Sequence, residues 1–234
     1  MRPPRSAAAR RAIALFADAP RGDRFHVRAR WWTCPIPAVE SVVPRAGRIL
    51  EVGAGHGLVS FYLALTGPGR EVLGIDIDEH KIELAKAAAT RLEPGEASVA
   101  FATVEPGGMP DGPFDAIVIN DVLYLMSREQ RQQVLADCIE RLADDGRLVI
   151  KELDVTPRWK YEIGHAQEIL ATRVLSYTQG DQVEIAPMRE LVAQLQAAGL
   201  VTTATRVDRC YLHPHQLVVA RKRSTRSATA ESSR

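Results

Sequence analysis

The chain has 234 residues, of which 46% are hydrophobic and 25% are charged, and its formal net charge is +1. This length and composition predict one globular domain with a sizeable core and ragged ends. No apolar run approaches the ~20 residues that a membrane span needs, which argues against a membrane-spanning protein and favours a cytoplasmic location. The three cysteines are widely spaced and contain no C-x-x-C pair, which argues against a disulfide framework or a zinc knuckle.

Arginine dominates the N-terminal segment. Eight of the first thirty residues are arginines, against two acids, Asp18 and Asp23. A basic arm of this kind is suited to contact nucleic acid, anionic lipid or a phosphorylated substrate. Genome composition is the alternative explanation, because only five of the thirty basic residues are lysines. We predict that residues 1–40 form a basic arm and a cap segment.

Two adjacent tryptophans, Trp31 and Trp32, lie within this segment. We expect an extended segment here. Successive side chains on a strand point to opposite faces, so the two rings cannot both point inward. One ring should therefore pack on the core while the other lies near the surface or a cleft.

A strand and a glycine loop follow in the stretch from Arg48 to Gly57, which reads R-I-L-E-V-G-A-G-H-G. The apolar run predicts a buried strand, and the apolar residues 58–65 predict a helix after the loop. Glycine lets backbone N–H groups approach a ligand closely, and a helix start favours a negative group. The stretch therefore predicts a ligand cradle built from the loop N–H groups.

A second apolar strand, near residues 71–78, ends in the acid Asp76. An ionised carboxylate only accepts hydrogen bonds and has two oxygens, so it can hold both hydroxyls of a ribose. Together with the glycine loop it predicts a nucleoside-containing ligand. The dinucleotide spacing G-x-G-x-x-G would require glycine at Leu58, whereas the third glycine is Gly57, so this spacing disfavours a pyrophosphate loop.

The motifs E-V-G-A-G-H-G and G-I-D-I-D together resemble the first two motifs of the class I S-adenosylmethionine-dependent methyltransferases. The resemblance covers about residues 45–154. It implies S-adenosyl-L-methionine as the cofactor, with the loop on its methionine part and the acid after the second strand on its ribose. It places cofactor contacts at Glu51, Gly53, Ala54, Gly55, Gly57, Asp76, Ile77 and Asn120.

The remaining elements alternate between helix and strand. We predict a helix over 78–92, strands at 98–104 and 114–121, a helix with Ser127 as N-cap and Gln130 at the capping-box position, and a strand at 147–153. Residues 201–207 and 216–221 alternate like two antiparallel strands. As in the resembled family, this order predicts a three-layer, Rossmann-like α/β fold with a mostly parallel seven-stranded sheet and a C-terminal antiparallel hairpin. The methyltransferase domain would span 41–222 with a helical insertion near 155–198, before a disordered tail at 223–234.

The fourth strand ends in Asn120 and Asp121, where an open parallel sheet places its ligand. The following residues, Asn120-Asp-Val-Leu-Tyr124, do not form the N-P-P-Y type motif that amino-methyltransferases of nucleic-acid bases carry. This difference lowers the case for base methylation.

Methyl transfer from a sulfonium is an in-line displacement that depends mainly on positioning and on exclusion of water. A hydroxyl acceptor also benefits from removal of its proton. We predict His165, on the inserted helix, as the base and Asp121 as the second catalytic candidate. The alternative for His165 is that it is an ordinary surface or helix-packing histidine. His213 and His215 suggest a metal site with Cys210, but the intervening Pro214 indicates a turn, and we expect no metal.

The sequence thus predicts a methyltransferase for a small-molecule acceptor, with O-methylation preferred and N- or C-methylation open. The alternatives are an RNA methyltransferase that uses the arginine-rich arm, a nicotinamide-dependent oxidoreductase and a non-catalytic nucleoside-binding module. The acceptor and the oligomeric state are left open by the sequence.

Overall fold

The computed structural model describes residues 3–154 and 187–222. The predicted tail, most of the predicted insertion and His165 lie outside these residues. The described helices are α1 (Ala7–Ala14), α2 (Arg21–Thr33), α3 (Ile36–Glu40), α4 (Leu58–Thr66), α5 (Glu79–Ala89), α6 (Arg128–Arg141) and α7 (Met188–Ala197). The strands are β1 (Ala46–Val52), β2 (Gly69–Asp76), β3 (Ser98–Thr103), β4 (Phe114–Asn120), β5 (Leu142–Leu153), β6 (Leu200–Arg206) and β7 (His215–Lys222), and a short 3-10 turn spans Leu123–Leu125.

The seven strands form one sheet in the order β3-β2-β1-β4-β5-β7-β6. Strands β1 to β5 are parallel, and β7 is antiparallel to both of its neighbours, β5 and β6. The central strand β4 shows why this arrangement is stable, since all its residues except Asp115 are buried, as expected for a strand covered on both faces. The predicted Rossmann-like α/β fold with a C-terminal hairpin is confirmed.

The core divides into two apolar clusters, one on each face of the sheet. Neighbouring residues of β1 belong to different clusters, because Ile49 packs with the residues of α1 to α5 and Leu50 packs with those of α6 and α7. The sheet is therefore the middle of three layers. Helix α6 begins with the predicted capping box, in which the Ser127 side chain accepts from the Gln130 N–H and the Gln130 side chain accepts from the Ser127 N–H.

The tryptophan segment is helical, so the expectation of an extended segment is wrong. Helix α2 begins after Pro20 and has Asp23 in its first turn, where an acid stabilises the helix dipole. Adjacent residues of a helix also point in different directions, about 100° apart. Trp31 is accordingly 4% exposed and packs edge-on against Tyr62, whereas Trp32 is 40% exposed. The predicted division between core and surface therefore holds.

No helix in the described ranges is both long enough and apolar enough to cross a membrane.

Candidate active site

The carboxyl ends of β1, β2 and β4 lie side by side in the sheet, because β1 pairs in parallel with both of the others. This arrangement brings together the glycine loop after β1, Asp76 at the end of β2 and Asn120 at the end of β4. Open α/β sheets bind ligands at this edge. The sequence-predicted cofactor residues therefore meet at one place.

The three loop glycines adopt left-handed backbone angles, with φ of 74° at Gly53, 53° at Gly55 and 77° at Gly57. Two of them also have no room for a side chain. A Cβ on Gly53 would lie 2.3 Å from Val122 Cγ2, and one on Gly57 would lie 2.4 Å from Phe101 Cε1. The loop thus needs glycine both for its conformation and for its packing.

The N–H groups at the start of the loop are directed to β2. Gly53 N and Ala54 N donate to the carbonyl of Ile75 over 2.8 and 2.9 Å, and Gly55 N donates to Asp76 Oδ2 over 2.7 Å. These three amides therefore hold the loop in place, which corrects the expectation that they point at the ligand. A pyrophosphate loop needs such amides for its phosphates, so this geometry agrees with the glycine spacing in disfavouring a dinucleotide.

Asp76 has a structural role and also has hydrogen-bond acceptor positions that the described residues do not use. Besides the Gly55 amide, its carboxylate accepts the Asp78 N–H over 2.9 Å. A carboxylate has about four acceptor positions, so about two remain for ribose hydroxyls. The next side chain, Ile77, is 64% exposed, an unusual state for a large apolar residue that a planar base would cover. The residues present thus fit an adenosyl group.

Glu51 is the acid inside this edge. It is 2% exposed and accepts a short hydrogen bond from the Ser60 hydroxyl. Burial raises the pKa of Glu51 to about 7, although the Ser60 hydrogen bond and the Arg30 cation both oppose the shift. Glu51 is therefore a buried carboxyl group that gains or loses its proton near neutral pH.

Helix α2 lies at the carboxyl edge of the sheet and contacts both the glycine loop after β1 and the residues at the end of β4. Near its start, Asp23 Oδ1 lies 2.9 Å from Nε2 of His56 in the glycine loop. Near its end, Arg30 donates to the Asn120 carbonyl over 2.9 Å, and its Nη1 lies 2.9 Å from Asp121 Oδ2. Helix α2, which lies within the predicted arm and cap segment, is therefore tied by polar contacts to the ends of β1 and β4.

Asp121 is held between two cations. The fully buried Lys151 Nζ lies 2.6 and 2.5 Å from its two carboxylate oxygens, and Arg30 contacts it from α2. Burial acts to raise the pKa of Asp121, but the Lys151 and Arg30 charges outweigh it and lower the pKa to about 2. Asp121 is therefore a fixed anion near neutral pH and a weak base. Its predicted catalytic role stays a prediction, and these contacts favour an electrostatic one.

A second buried acid, Glu152, fixes the turn after β4. Its Oε1 accepts the Val122 and Leu123 N–H groups over 2.8 and 2.7 Å. Burial and the neighbouring Asp121 raise the pKa of Glu152 to about 7. Glu152 thereby sets the path of the chain next to Asp121.

Two histidines lie at the same edge, where the antiparallel β7 begins. His215 is 3% exposed, its Nε2 lies 2.8 Å from the Thr33 carbonyl, and burial lowers its pKa to about 3. The half-buried His213 lies 6.1 Å from it between ring centroids, and burial lowers its pKa as well. Both rings are therefore neutral at pH 7. Across the described ranges, no group of three or more His, Cys, Asp or Glu side chains is arranged to hold a metal.

Three residues that the sequence does not assign to the site lie in or beside it: Arg30, Lys151 and His213. Arg30 was hidden because its segment was expected to be extended. Lys151 is 30 residues away from Asp121 in sequence, and only the pairing of β4 with β5 brings the two together. The sequence pattern around His213, with Cys210, Pro214 and His215 nearby, points only to a metal site or a turn.

Comparison with known proteins gives consistent matches. A family model described as a methyltransferase domain matches residues 49–146. The chain is 31% identical over 107 residues to the ribosomal protein L11 methyltransferase of Syntrophotalea carbinolica, which is 46% of this chain and 32% of that protein. The matched region covers between 1% and 52% of the length of the four curated relatives compared.

Solved structures share the fold. Magnesium protoporphyrin IX methyltransferase from Synechocystis PCC 6803, with bound SAH, aligns over 93% of this chain and 95% of its own, with a TM-score of 0.64 and 18% identity. An O-methyltransferase family 2 protein from Planctomyces limnophilus, in complex with apigenin, aligns over 94% of this chain and 66% of its own, with a TM-score of 0.65 and 18% identity. At this identity the alignments establish the fold.

Proposed function

We propose that the chain is a class I S-adenosylmethionine-dependent methyltransferase and that it methylates a hydroxyl group of a small-molecule acceptor. One observation carries the cofactor side of the proposal: the Asp76 carboxylate and the glycine loop meet at one edge of the sheet and are hydrogen-bonded to each other. When bound, S-adenosylmethionine supplies a methyl group on a sulfonium, which an acceptor takes by in-line displacement.

The chain offers complementary groups for both ends of this cofactor. Asp76 would hold the ribose hydroxyls, and Ile77 would lie against the adenine. At the methionine end, the buried Glu51 would accept from the ammonium group and Arg30 would donate to the carboxylate. The two side chains lie near each other, because each contributes to the shift of the other's pKa. The cofactor would then bridge the ends of β1, β2 and β4.

The position of α2 supports a small acceptor. The helix is tied to the glycine loop through Asp23 and to β4 through Arg30, so it covers part of the carboxyl edge. An acceptor must reach the methyl group beside this helix, which suits a compact molecule better than a folded macromolecule. A covered site also excludes water, which methyl transfer requires.

Several features support an oxygen acceptor. A hydroxyl needs a group that takes its proton, and His213, a half-buried histidine at the carboxyl edge that is neutral at pH 7, is suited to do so. His165 and Asp121 remain proposed catalytic residues, with Asp121 as a fixed anion that stabilises positive charge on such a base. The fold is also that of a protein named as an O-methyltransferase.

The direct test is transfer of labelled methyl from S-adenosylmethionine to a panel of phenols, catechols and matched anilines. The proposal predicts product on at least one hydroxyl and none on its aniline counterpart. Transfer to anilines alone would contradict O-methylation, and transfer to no small acceptor in a broad panel would contradict the proposed substrate class.

RNA methylation is the second candidate, because the N-terminal arginines give the arm a strong positive charge. It requires micromolar or tighter RNA binding that falls steeply as salt rises. Filter binding with a structured RNA at low and physiological salt separates the two candidates. Weak binding at both salt concentrations favours the small acceptor.

The proposed role of Arg30 predicts a selective loss of affinity. Arg30→Gln should weaken binding of S-adenosylhomocysteine (SAH) about 10-fold, because it removes a charge-assisted hydrogen bond to the carboxylate. Methylthioadenosine, which lacks the amino-acid end, should bind the variant and the unmodified protein alike. Calorimetry with both ligands measures the difference, and Arg21→Gln, an exposed arginine at the start of the same helix, is the matched control. An equal loss for both ligands would show that Arg30 only supports the fold.

The raised pKa of Glu51 predicts a pH dependence. SAH affinity should rise from about pH 5.5 to about pH 7.5, as Glu51 ionises and attracts the ammonium group. Glu51→Gln should bind SAH more weakly and remove this slope. Stability of the ligand-free protein should change in the opposite direction: the folded pKa lies above the unfolded value of 4.5, so the contribution of Glu51 is full below pH 4.5 and is lost as pH rises to about 7.

These two changes are measured separately, by calorimetric titration and by thermal unfolding at each pH. A flat affinity profile in the unmodified protein would contradict the assignment of Glu51 to the ammonium group. Glu79→Gln, an exposed acid at the start of α5, serves as the control and should leave both profiles unchanged.

A further inference from the structure

A cavity of about 270 Å³ lies between α1 and α2, outside the cofactor residues described above. It is partly open to solvent. Its walls are formed by residues of the two helices and of the turn between them: Arg10, Ile13, Ala14, Phe16, Ala17, Arg24 and Arg28. The lining thus combines three arginines with an apolar floor.

The arginines of the cavity face no carboxylate in the lining. The two acids of the first thirty residues are used elsewhere, since Asp18 pairs with Arg91 and Asp23 contacts His56. Arg24 and Arg28 are four residues apart on α2, a spacing at which like charges repel and destabilise a helix. The cavity therefore concentrates positive charge that the described part of the chain does not neutralise.

The guanidinium groups also have unused donors. Each has five N–H donors, of which Arg10 uses one on the Arg5 carbonyl at 2.7 Å and Arg24 one on the Ala17 carbonyl at 2.9 Å. The Nε atom of Arg24 is buried and has no hydrogen-bond partner among the described residues. Because this Nε is shielded from solvent, the donors available to an anion in the cavity are the other unused N–H groups of the three guanidinium groups.

We infer that this cavity binds a small organic anion, with a carboxylate or phosphate group between Arg24 and Arg28 and a compact apolar body on Ile13 and Phe16. Arginine is the residue best suited to planar, bidentate contact with either anion. The volume lies just below the range of about 300–1,000 Å³ for drug-sized ligands, so the ligand should be smaller than a typical drug. This site goes beyond the proposed methyl transfer and does not depend on it.

The cavity is also adjacent to the cofactor loop. The Phe16 ring that forms part of its floor contacts His56 edge-on, with 6.5 Å between ring centroids. Its occupant would therefore be one side chain away from the glycine loop.

The test is calorimetric titration of the full chain at low ionic strength with four probes: phenyl phosphate, benzoate, inorganic phosphate and benzyl alcohol. We expect phenyl phosphate or benzoate to bind with a dissociation constant of about 1 mM or tighter, and the tighter of the two identifies the head group. Inorganic phosphate and benzyl alcohol, which each lack one half of the ligand, should bind at least about 10-fold more weakly.

Two variants locate the binding. Arg28→Gln removes one charge, and Ala14→Leu fills the cavity from an exposed position without changing charge, so neither should affect folding. Each should weaken the tighter probe at least about 5-fold, while Arg128→Gln, an exposed arginine on α6, should leave it unchanged. No saturable binding below about 10 mM, equal binding of inorganic phosphate and phenyl phosphate, or unchanged binding by both variants would overturn the inference.

Discussion

Changing Asp76 to Ala is expected to weaken SAH binding by at least about 100-fold. Asp76 is the proposed acceptor for two ribose hydroxyls, and hydrogen bonds to a charged group contribute about 1.5–3 kcal/mol each. The change also removes the acceptor of the Gly55 and Asp78 N–H groups, so the glycine loop loses its tie to β2. Calorimetric titration measures the loss.

Two further variants separate these roles of Asp76. Asp76→Asn keeps an oxygen that can accept the Gly55 N–H and should therefore lose less affinity than Asp76→Ala. Glu79→Ala removes an exposed acid from the start of α5 and should bind SAH normally. Binding by Asp76→Ala within threefold of the unmodified protein would show that the ribose is held elsewhere.

Changing Lys151 to Met is expected to destabilise the fold by about 3 kcal/mol, the low end of the cost of breaking a buried ion pair. Lys151 is fully buried and contacts both carboxylate oxygens of Asp121. Methionine has a similar length but leaves Asp121 with Arg30 as its only neighbouring cation among the contacts described above. For a chain of this size the melting temperature should fall by about 6–12 °C.

A double-mutant cycle tests this interpretation of Lys151. Lys151→Met combined with Asp121→Asn removes both charges, so the pair should be destabilised by clearly less than the sum of the single changes. Lys86→Met, in an exposed pair with Glu83, should change stability by no more than about 0.5 kcal/mol. Additive losses in urea unfolding would mean that Lys151 and Asp121 do not stabilise each other.

The proximity of the glycine loop to Asp76 could be predicted because its sequence signals are local. Each signal lies within one short stretch of sequence. The apolar run before Gly53 indicates a buried strand, and the acid at Asp76 indicates a contact with the ligand. The parallel pairing of β1 with β2 then places the two stretches together in any fold of this class. Sequence alone could not show that the loop amides bond to β2, since this depends on the angle at which the two strands end.

The cap and the charge network could not be predicted for different physical reasons. One buried and one exposed ring at adjacent positions are compatible with both a strand and a helix, so Trp31 and Trp32 alone could not show that the segment is helical. Arg30 reaches the Asn120 carbonyl across 90 residues of sequence, so no local pattern reveals it. The same holds for the lowered pKa of Asp121, which needs two cations from separate elements.

The most direct test of the whole account is a side-by-side calorimetric titration of the unmodified protein with SAH and with NAD. The glycine loop, whose first amides are committed to β2, and the free acceptor positions of Asp76 predict saturable micromolar binding of SAH and no binding of NAD. Heat with NAD and none with SAH would contradict the central claim that this edge of the sheet is an adenosyl-methionine site.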